Sequence, residues 1–435
     1  MNSKYFIETY GCQMNVYDSE LVAGLLENAG YTSALSVEDA DALFLNTCSI
    51  REKAEETVHN RLQNFQSLKR NKPQMLIGVL GCMAQNLRDD LLTSKPFVDI
   101  ILGPDAYRRL PDILKNRQSL NDHVVDTHLS RYEVYEDLFP TRGSGINAWI
   151  SISRGCDNFC TFCIVPFTRG RERSRSIDSI VDETKTAVSQ GFLEITLLGQ
   201  NVNSFKTDQG AFPELLSAVA AVPGIQRVRY TSPHPRDVDD HLLEVMRDHP
   251  VICPHIHLPL QAGADRILER MNRTYSKSQF LDLVNRIHDY LPGCALTTDI
   301  IVGFPGETDE DFSHTLDVMQ KVKFHSSFMF KYSPRPGTKA AEYSDQIEEA
   351  VKQERLEAVI AMQKEHSLFR NRQYIGRQVQ VIVEKNSKKS ALQWAGRTET
   401  NIWVVWDKNG ESIKDSVSVE IIDAQGITLF GHRST

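Results

Sequence analysis

Cys156, Cys160 and Cys163 are spaced C-x3-C-x2-C in the stretch Arg154-Gly155-Cys156-Asp157-Asn158-Phe159-Cys160-Thr161-Phe162-Cys163. Three thiols on one tight loop cannot all pair as disulfides, but they can point at one metal centre. A 4Fe-4S cube has four irons and is normally held by four thiolates, so three leave one iron open to a ligand that is not protein. The open position is where chemistry would take place. A zinc site needs a fourth ligand that this loop lacks; three unrelated structural thiols are the remaining reading.

Three more cysteines recur in a second pattern. Tyr5 to Thr9 leads into Gly11-Cys12, Ala42 to Asn46 into Thr47-Cys48-Ser49, and Met75 to Leu80 into Gly81-Cys82. Short apolar runs alternating with amphipathic helical patterns predict a parallel α/β sheet, whose strands share one carboxyl edge where ligands bind. Cys12, Cys48 and Cys82 are therefore expected together at that edge, as a second three-thiolate cluster or, on the bland reading, as buried structural thiols. The helix after Cys12 has Asp18 or Ser19 as its expected cap, Leu21, Val22, Leu25 and Leu26 as its apolar face and Gly30 at its end.

The chain has 435 residues, 41% hydrophobic, enough for two or three domains. Its N-terminus, beginning Met1-Asn2, has no signal-peptide pattern, and no stretch is long and apolar enough for a membrane span, which points to the cytoplasm. In that reducing compartment eight cysteines suit metal ligation or buried packing better than disulfides. A net charge of -8 argues against indiscriminate nucleic-acid binding but leaves room for a local basic surface.

Asp112 to Gly145, with Asp122 and Asp126, looks like a connector. From Ala148 the apolar runs 149–152, 194–198, 228–231, 256–260, 296–304 and 327–332 alternate with helical patterns, six units and so too few for a closed eight-stranded barrel. Arg169, Arg171, Arg173 and Arg175 follow the cysteine loop. They suit either a grip on a polyanion or carboxylate, or salt bridges to neighbouring loops. Cys253 and Cys294 stand apart and read as structural. Beyond a long helical pattern ending near Arg370, the runs 378–383, 401–406, 417–422 and 427–431 read as the strands of a small β module. From Asn371 onward it carries nine Lys or Arg against seven Asp or Glu. Trp394, Trp403 and Trp406 suit base stacking or a core.

The cysteine loop, with Phe162 before its last thiol, resembles the signature of radical S-adenosylmethionine enzymes, and the whole chain resembles their methylthiotransferase family. The resemblance implies an α/β fold in four parts: an N-terminal parallel α/β methylthiotransferase domain (1–118) with an auxiliary cluster, a linker (119–145), a partial (β/α)6 barrel (146–370) and a small all-β, oligonucleotide-binding-like TRAM barrel (371–435). It implies two 4Fe-4S clusters, on Cys12, Cys48 and Cys82 and on Cys156, Cys160 and Cys163. It also implies S-adenosylmethionine bound at the open iron and cleaved to a 5'-deoxyadenosyl radical. Phe162, Gly199, Gln200, Gln261 and Gly303 are the expected cofactor contacts, although Gly199-Gln200-Asn201 stands where the family usually has Gly-Gly-Glu, and the turns at Gln261 and Gly303 are equally ordinary strand-to-helix turns.

Thr9-Tyr10-Gly11-Cys12-Gln13-Met14-Asn15 looks like the MiaB branch, which places a methylthio group on C2 of N6-isopentenyladenosine at position 37 of tRNA. Its partners would be a tRNA anticodon stem-loop, an electron donor such as flavodoxin or ferredoxin, and a sulfur donor that the sequence does not name, with the protein a monomer. Sister branches act on threonylcarbamoyl-adenosine in tRNA or on a ribosomal-protein aspartate. A non-catalytic iron-sulfur protein that binds RNA or carries electrons is the reading of another class.

Overall fold

The computed structural model describes residues 3–48, 52–116 and 123–434. Met1, Asn2, Ser49 and Asp122, named above, lie outside the described residues.

In the first domain β1 (Lys4–Tyr10), β2 (Thr32–Ser33), β3 (Ala42–Thr47), β4 (Leu76–Gly81), β5 (Ile100–Leu102) and β6 (Val124–Asp126) form one sheet in the order β2-β1-β3-β4-β5-β6. Every pairing is parallel. Alternate side chains of a strand leave on opposite faces, and both faces here are covered. Leu43 and Leu45 pack with Leu62 and Phe65 of the helix Glu52–Asn71. Ala42 and Phe44 pack on the other side with Leu21, Val22 and Leu26 of the helix Gln13–Asn28.

Two expectations are corrected here. The helix begins after Cys12, and Asp18 and Ser19 lie buried inside it rather than capping it. Part of the stretch read as a connector belongs to this domain, because β6 pairs with β5 and Tyr135 is fully buried, its hydroxyl donating to the Pro104 carbonyl at 3.0 Å. Three residues are too few to show a strand period, which is why the sequence reads as a loop there.

The central domain is an open half-barrel of parallel strands. β7 (Asn147–Ser151) leads into a two-residue antiparallel pair, β8 (Ser153–Arg154) with β9 (Arg173–Ser174), which closes the cysteine loop at its base. β10 (Glu194–Leu198) follows, then a small hairpin of β11 (Lys206–Thr207) and β12 (Gly210–Ala211), then β13 (Arg227–Tyr230), β14 (His255–His257), β15 (Ala295–Val302) and β16 (Ser326–Lys331). The strands order as β13-β10-β7 and β14-β15-β16, joined by a parallel bridge between Val228 and Ile252. Among the described residues β7 and β16 do not pair, so the barrel is open between them. The expected run 256–260 is strand only over His255–His257.

After the helix Glu349–Arg372 the chain closes a barrel of β17 (Gln378–Asn386), β18 (Gln393–Arg397), β19 (Trp403–Asp407), β20 (Ser416–Gln425) and β21 (Thr428–Arg433). β18, Gln-Trp-Ala-Gly-Arg, lacks the alternation that marks the other strands and is absent from the sequence reading. Trp394 and Trp406 belong to the core of this barrel; Trp403 stays half-buried, with Lys385 Nζ 4.3 Å from its ring.

Candidate functional site: two thiol groups across a domain interface

Cys12, Cys48 and Cys82 follow the carboxyl ends of β1, β3 and β4, at one edge of the first sheet. Gly11 (φ +146°) and Gly81 (φ +90°) precede two of them. A Cβ on Gly11 would stand 2.7 Å from Cys48 Cβ, and one on Gly81 2.4 Å from Asn46 Oδ1. Only glycine combines that backbone with that closeness. Cys12 Sγ donates to Asn15 Oδ1 at 3.3 Å, and Asn46 donates to Asn15 O and to Ser19 Oγ, both at 3.0 Å. A hydrogen bond from Cys48 and the nearby Arg169 guanidinium pull the Cys12 thiol down to about 6. Burial pushes the Cys82 thiol up.

In the second group Cys156 is buried and Cys160 and Cys163 are half-buried. The loop is held by Cys156 N donating to Gly170 O at 3.2 Å and Thr161 N to Met271 O at 3.0 Å. Loss of water pushes Cys156 up to about 11 and Cys163 up to about 12. Arg273 Nη1 donates to Cys160 Sγ at 3.5 Å.

Among the described residues no three His, Cys, Asp or Glu gather closely enough to hold a single metal ion. A cube instead takes its thiolates on separate irons and is tuned by hydrogen bonds to sulfur. Two sets of three thiols, each with an arginine donating to one sulfur, fit that group.

Arginines flanking the second set reach the first domain through buried ion pairs. Arg169, which ends the helix Val165–Arg169 just beyond Cys163, donates through Nε to Cys82 Sγ at 3.2 Å and through Nη2 to Asp18 Oδ2 at 2.8 Å. Arg154 donates to Asp18 Oδ1 at 3.0 Å, and Arg173 to Asp105 Oδ1 at 3.0 Å. Arg175 and Arg142 share Glu183, whose side chain is fully buried. Of the two readings of the arginine run, salt bridging holds for Arg169, Arg173 and Arg175. Arg171 alone of the four is exposed, over the Phe159 ring and beside Asp157.

Gly199 and Gln200 follow β10. A Cβ on Gly199 would meet Ser153 Oγ at 2.8 Å. Ser153 Oγ and Gln200 Oε1 are both buried with no hydrogen-bond partner among the described residues. A buried oxygen without a partner fits a cationic or N–H-bearing group, and the Ser153 hydroxyl is such an oxygen packed against the Gly199 backbone. Asn201 is tied to Asp237 Oδ2 at 2.9 Å and to the His234 N–H at 3.2 Å. Burial first, and Arg273 next, push His234 down to about 3, so its ring is neutral. Gln261 (φ +66°) bridges to Ile300, Phe162 packs against the central core, and the Gly303 N–H donates to Glu307 Oε2 at 2.6 Å. Ser153, Arg273 and His234 carry no spacing signal that would single them out; Ser153 does stand directly before the quoted loop.

Residues 4–103 match the family described as Uncharacterized protein family UPF0004, 150–319 the Radical SAM superfamily and 372–432 the TRAM domain. A tRNA-2-methylthio-N(6)-dimethylallyladenosine synthase of Bacteroides thetaiotaomicron is 47% identical, covering 99% of this chain and 96% of the relative. Proteins of the same name from Porphyromonas gingivalis and Flavobacterium johnsoniae are 45% and 42% identical, each over 98% of this chain and 94% and 93% of the relatives. Among solved structures the fold is similar to the radical S-adenosylmethionine methyltransferase TsrM of Kitasatospora setae, with a TM-score of 0.60 at 14% identity over 78% of this chain and 77% of that one. It is also similar to the cobalamin-dependent S-adenosylmethionine radical enzyme OxsB, with a TM-score of 0.56 at 12% identity over 82% and 56%.

Proposed function

We infer the reaction from one premise: this chain belongs to the family of tRNA-2-methylthio-N(6)-dimethylallyladenosine synthases. It is a radical S-adenosylmethionine transferase that replaces the C2 hydrogen of N6-isopentenyladenosine, at position 37 of tRNA, with a methylthio group, using two S-adenosylmethionine and two 4Fe-4S clusters. Cys156, Cys160 and Cys163 hold the cluster that meets S-adenosylmethionine, and Cys12, Cys48 and Cys82 hold the auxiliary one. Bound there, these groups supply the one-electron chemistry that an unactivated aromatic C–H needs and that no acid–base side chain offers.

The chain's own residues bind and orient. Ser153 and Gln200 would receive the methionine amino group on their orphaned oxygens, and Gly199, lacking a side chain, lets Ser153 pack close against its backbone. Arg273 and Arg169 donate to the sulfurs of Cys160 and Cys82, thiols that would each ligate a cluster. The observation that supports the partition is the Arg169 bridge, by which the helix that follows the Cys156–Cys163 loop reaches Cys82 of the other group. Flavodoxin or ferredoxin as electron donor, a monomeric state and a cytoplasmic location complete the reading; no described helix is long and apolar enough to cross a membrane.

Anaerobic reconstitution followed by mass spectrometry of nucleosides tests it. Isopentenylated tRNA should yield the methylthio product, and threonylcarbamoylated tRNA should not. Product from the second substrate alone would assign the chain to a sister branch, and absence of 5'-deoxyadenosine under reduction would leave a non-catalytic protein. Two cubes correspond to about eight irons, so replacing Cys156, Cys160 and Cys163 together by Ala should leave about half. That variant should lose deoxyadenosine formation, whereas replacing Cys12, Cys48 and Cys82 should keep it and abolish methylthio product.

A further inference from the structure

We propose that the inner face of β15 and β16 reads the modified adenine: Phe328 and Phe330 cover its dimethylallyl group, and Asp299 receives its N6–H. The inference rests on the substrate named above and assigns the residues that select it.

Side chains of a strand alternate, so the direction of some fixes the direction of the rest. Ile300 and Val302 of β15 and Met329 of β16 pack outward with Val359 of the helix Glu349–Arg372. Lys331 also points outward, donating to Gln353 on the same helix at 3.2 Å. Thr297, Asp299 and Ile301 of β15 and Phe328 and Phe330 of β16 therefore face the barrel interior. The parallel register sets Asp299 beside Phe328 and Ile301 beside Phe330.

Phe328 is 57% and Phe330 39% exposed. Single exposed apolar residues are ordinary on a surface. These two stand two residues apart on one inward face, at the edge where the barrel stays open, and they adjoin a fixed polar pair. His257 Nε2 lies 3.2 Å from Asp299 Oδ2, and His257 Nδ1 lies 3.0 Å from Thr297 Oγ1. The imidazole ring stands 6.0 Å from the Phe328 ring, edge to face. With both ring nitrogens engaged, His257 holds the carboxylate in place. The other Asp299 oxygen has no donor among the described residues and is open to a ligand.

An alkylated adenine amine has the same two parts side by side, an N–H donor and a five-carbon apolar chain. A carboxylate next to two phenyl rings is complementary to both. It also opposes the sister substrate, whose threonylcarbamoyl group brings its own carboxylate against Asp299.

The test measures binding of anticodon stem-loops carrying adenosine, isopentenyl-adenosine or threonylcarbamoyl-adenosine to the reconstituted full chain. The unaltered protein should prefer the isopentenylated loop over adenosine by about tenfold or more, the scale of a filled apolar pocket. Phe328→Ala with Phe330→Ala should bring that ratio close to one. Asp299→Asn, which keeps the shape and removes the charge, should raise the relative affinity for the threonylcarbamoyl loop. Unchanged ratios in both variants overturn the proposal. Should the double variant fail to bind iron as the unaltered protein does, the Asp299→Asn ratio decides alone. A protein that discriminates as expected but makes no methylthio product would overturn the reaction and leave the pocket standing.

Discussion

Arg169 is the residue where the two halves of the site meet. Its guanidinium donates to Cys82 Sγ at 3.2 Å from a helix that starts two residues after Cys163. A hydrogen bond to a cluster-bound sulfur stabilises the more negative, reduced state and raises the reduction potential. Arg169→Gln should therefore shift the auxiliary cluster to a more negative potential, with Arg169→Lys shifting it less. A redox titration followed by electron paramagnetic resonance reads this cleanly when Cys156, Cys160 and Cys163 are all Ala and only the auxiliary cluster remains. An unmoved potential would reduce the contact to packing. The sequence exposes the arginine run but not its partners, because Asp18 and Cys82 lie 151 and 87 residues away and spacing carries no information over that range. The six thiols are legible for the opposite reason: three lie on one loop, and the other three repeat one local pattern.

At the scale of elements the helix Gln13–Asn28 shows how a local rule yields to a distant partner. Asp18 has the chemistry of a cap, yet it sits a turn and more inside the helix with its carboxylate between Arg154 and Arg169. The two roles differ in magnitude. Losing a cap costs about 1 kcal/mol. Removing one partner of a buried charge cluster costs about 3–5 kcal/mol, because the remaining charges stay desolvated. Urea unfolding of Asp18→Ala should show the larger loss. The buried, paired carboxylate of Asp18 is held below its ordinary range, burial opposing and Arg154 and Arg169 prevailing. With the folded value depressed, its contribution is present above the unfolded carboxylate range and is lost as pH falls through the folded value. The penalty of Asp18→Ala should thus shrink on strong acidification. Strands with a clear apolar run, such as β10, are read from sequence to the residue; β6 and β18 are not, since three residues or an Ala-Gly pair leave no period to detect.

Across the whole molecule the C-terminal barrel is locked to the central one by buried hydrogen bonds. Arg227 donates to the carbonyls of Arg397 and Gln380, and Arg229 to those of Thr398 and Glu399. Glu194, fully buried, accepts from Arg229 and from Arg397. Removing the chain after Arg370 should consequently lower S-adenosylmethionine cleavage along with tRNA binding, since it strips the amino end of the half-barrel of its partners. From sequence alone the module reads as separable, because both cysteine groups lie outside it. A substitution on its surface separates the effects better. Lys385 stacks on the half-buried Trp403. Lys385→Ala should weaken tRNA binding and reduce the slope of log affinity against log salt by roughly 0.7–0.9 if its ammonium meets one phosphate. An unchanged slope would remove it from the RNA surface.

The bond between Glu194 and Arg397 spans 203 positions. A ribosome that has just finished the half-barrel has therefore not yet made the residue that closes its floor. During that interval Arg227 and Arg229 have no carbonyls to meet, and the nascent chain carries an exposed charged face. A chain that stops before the last module would leave these groups permanently without their partners.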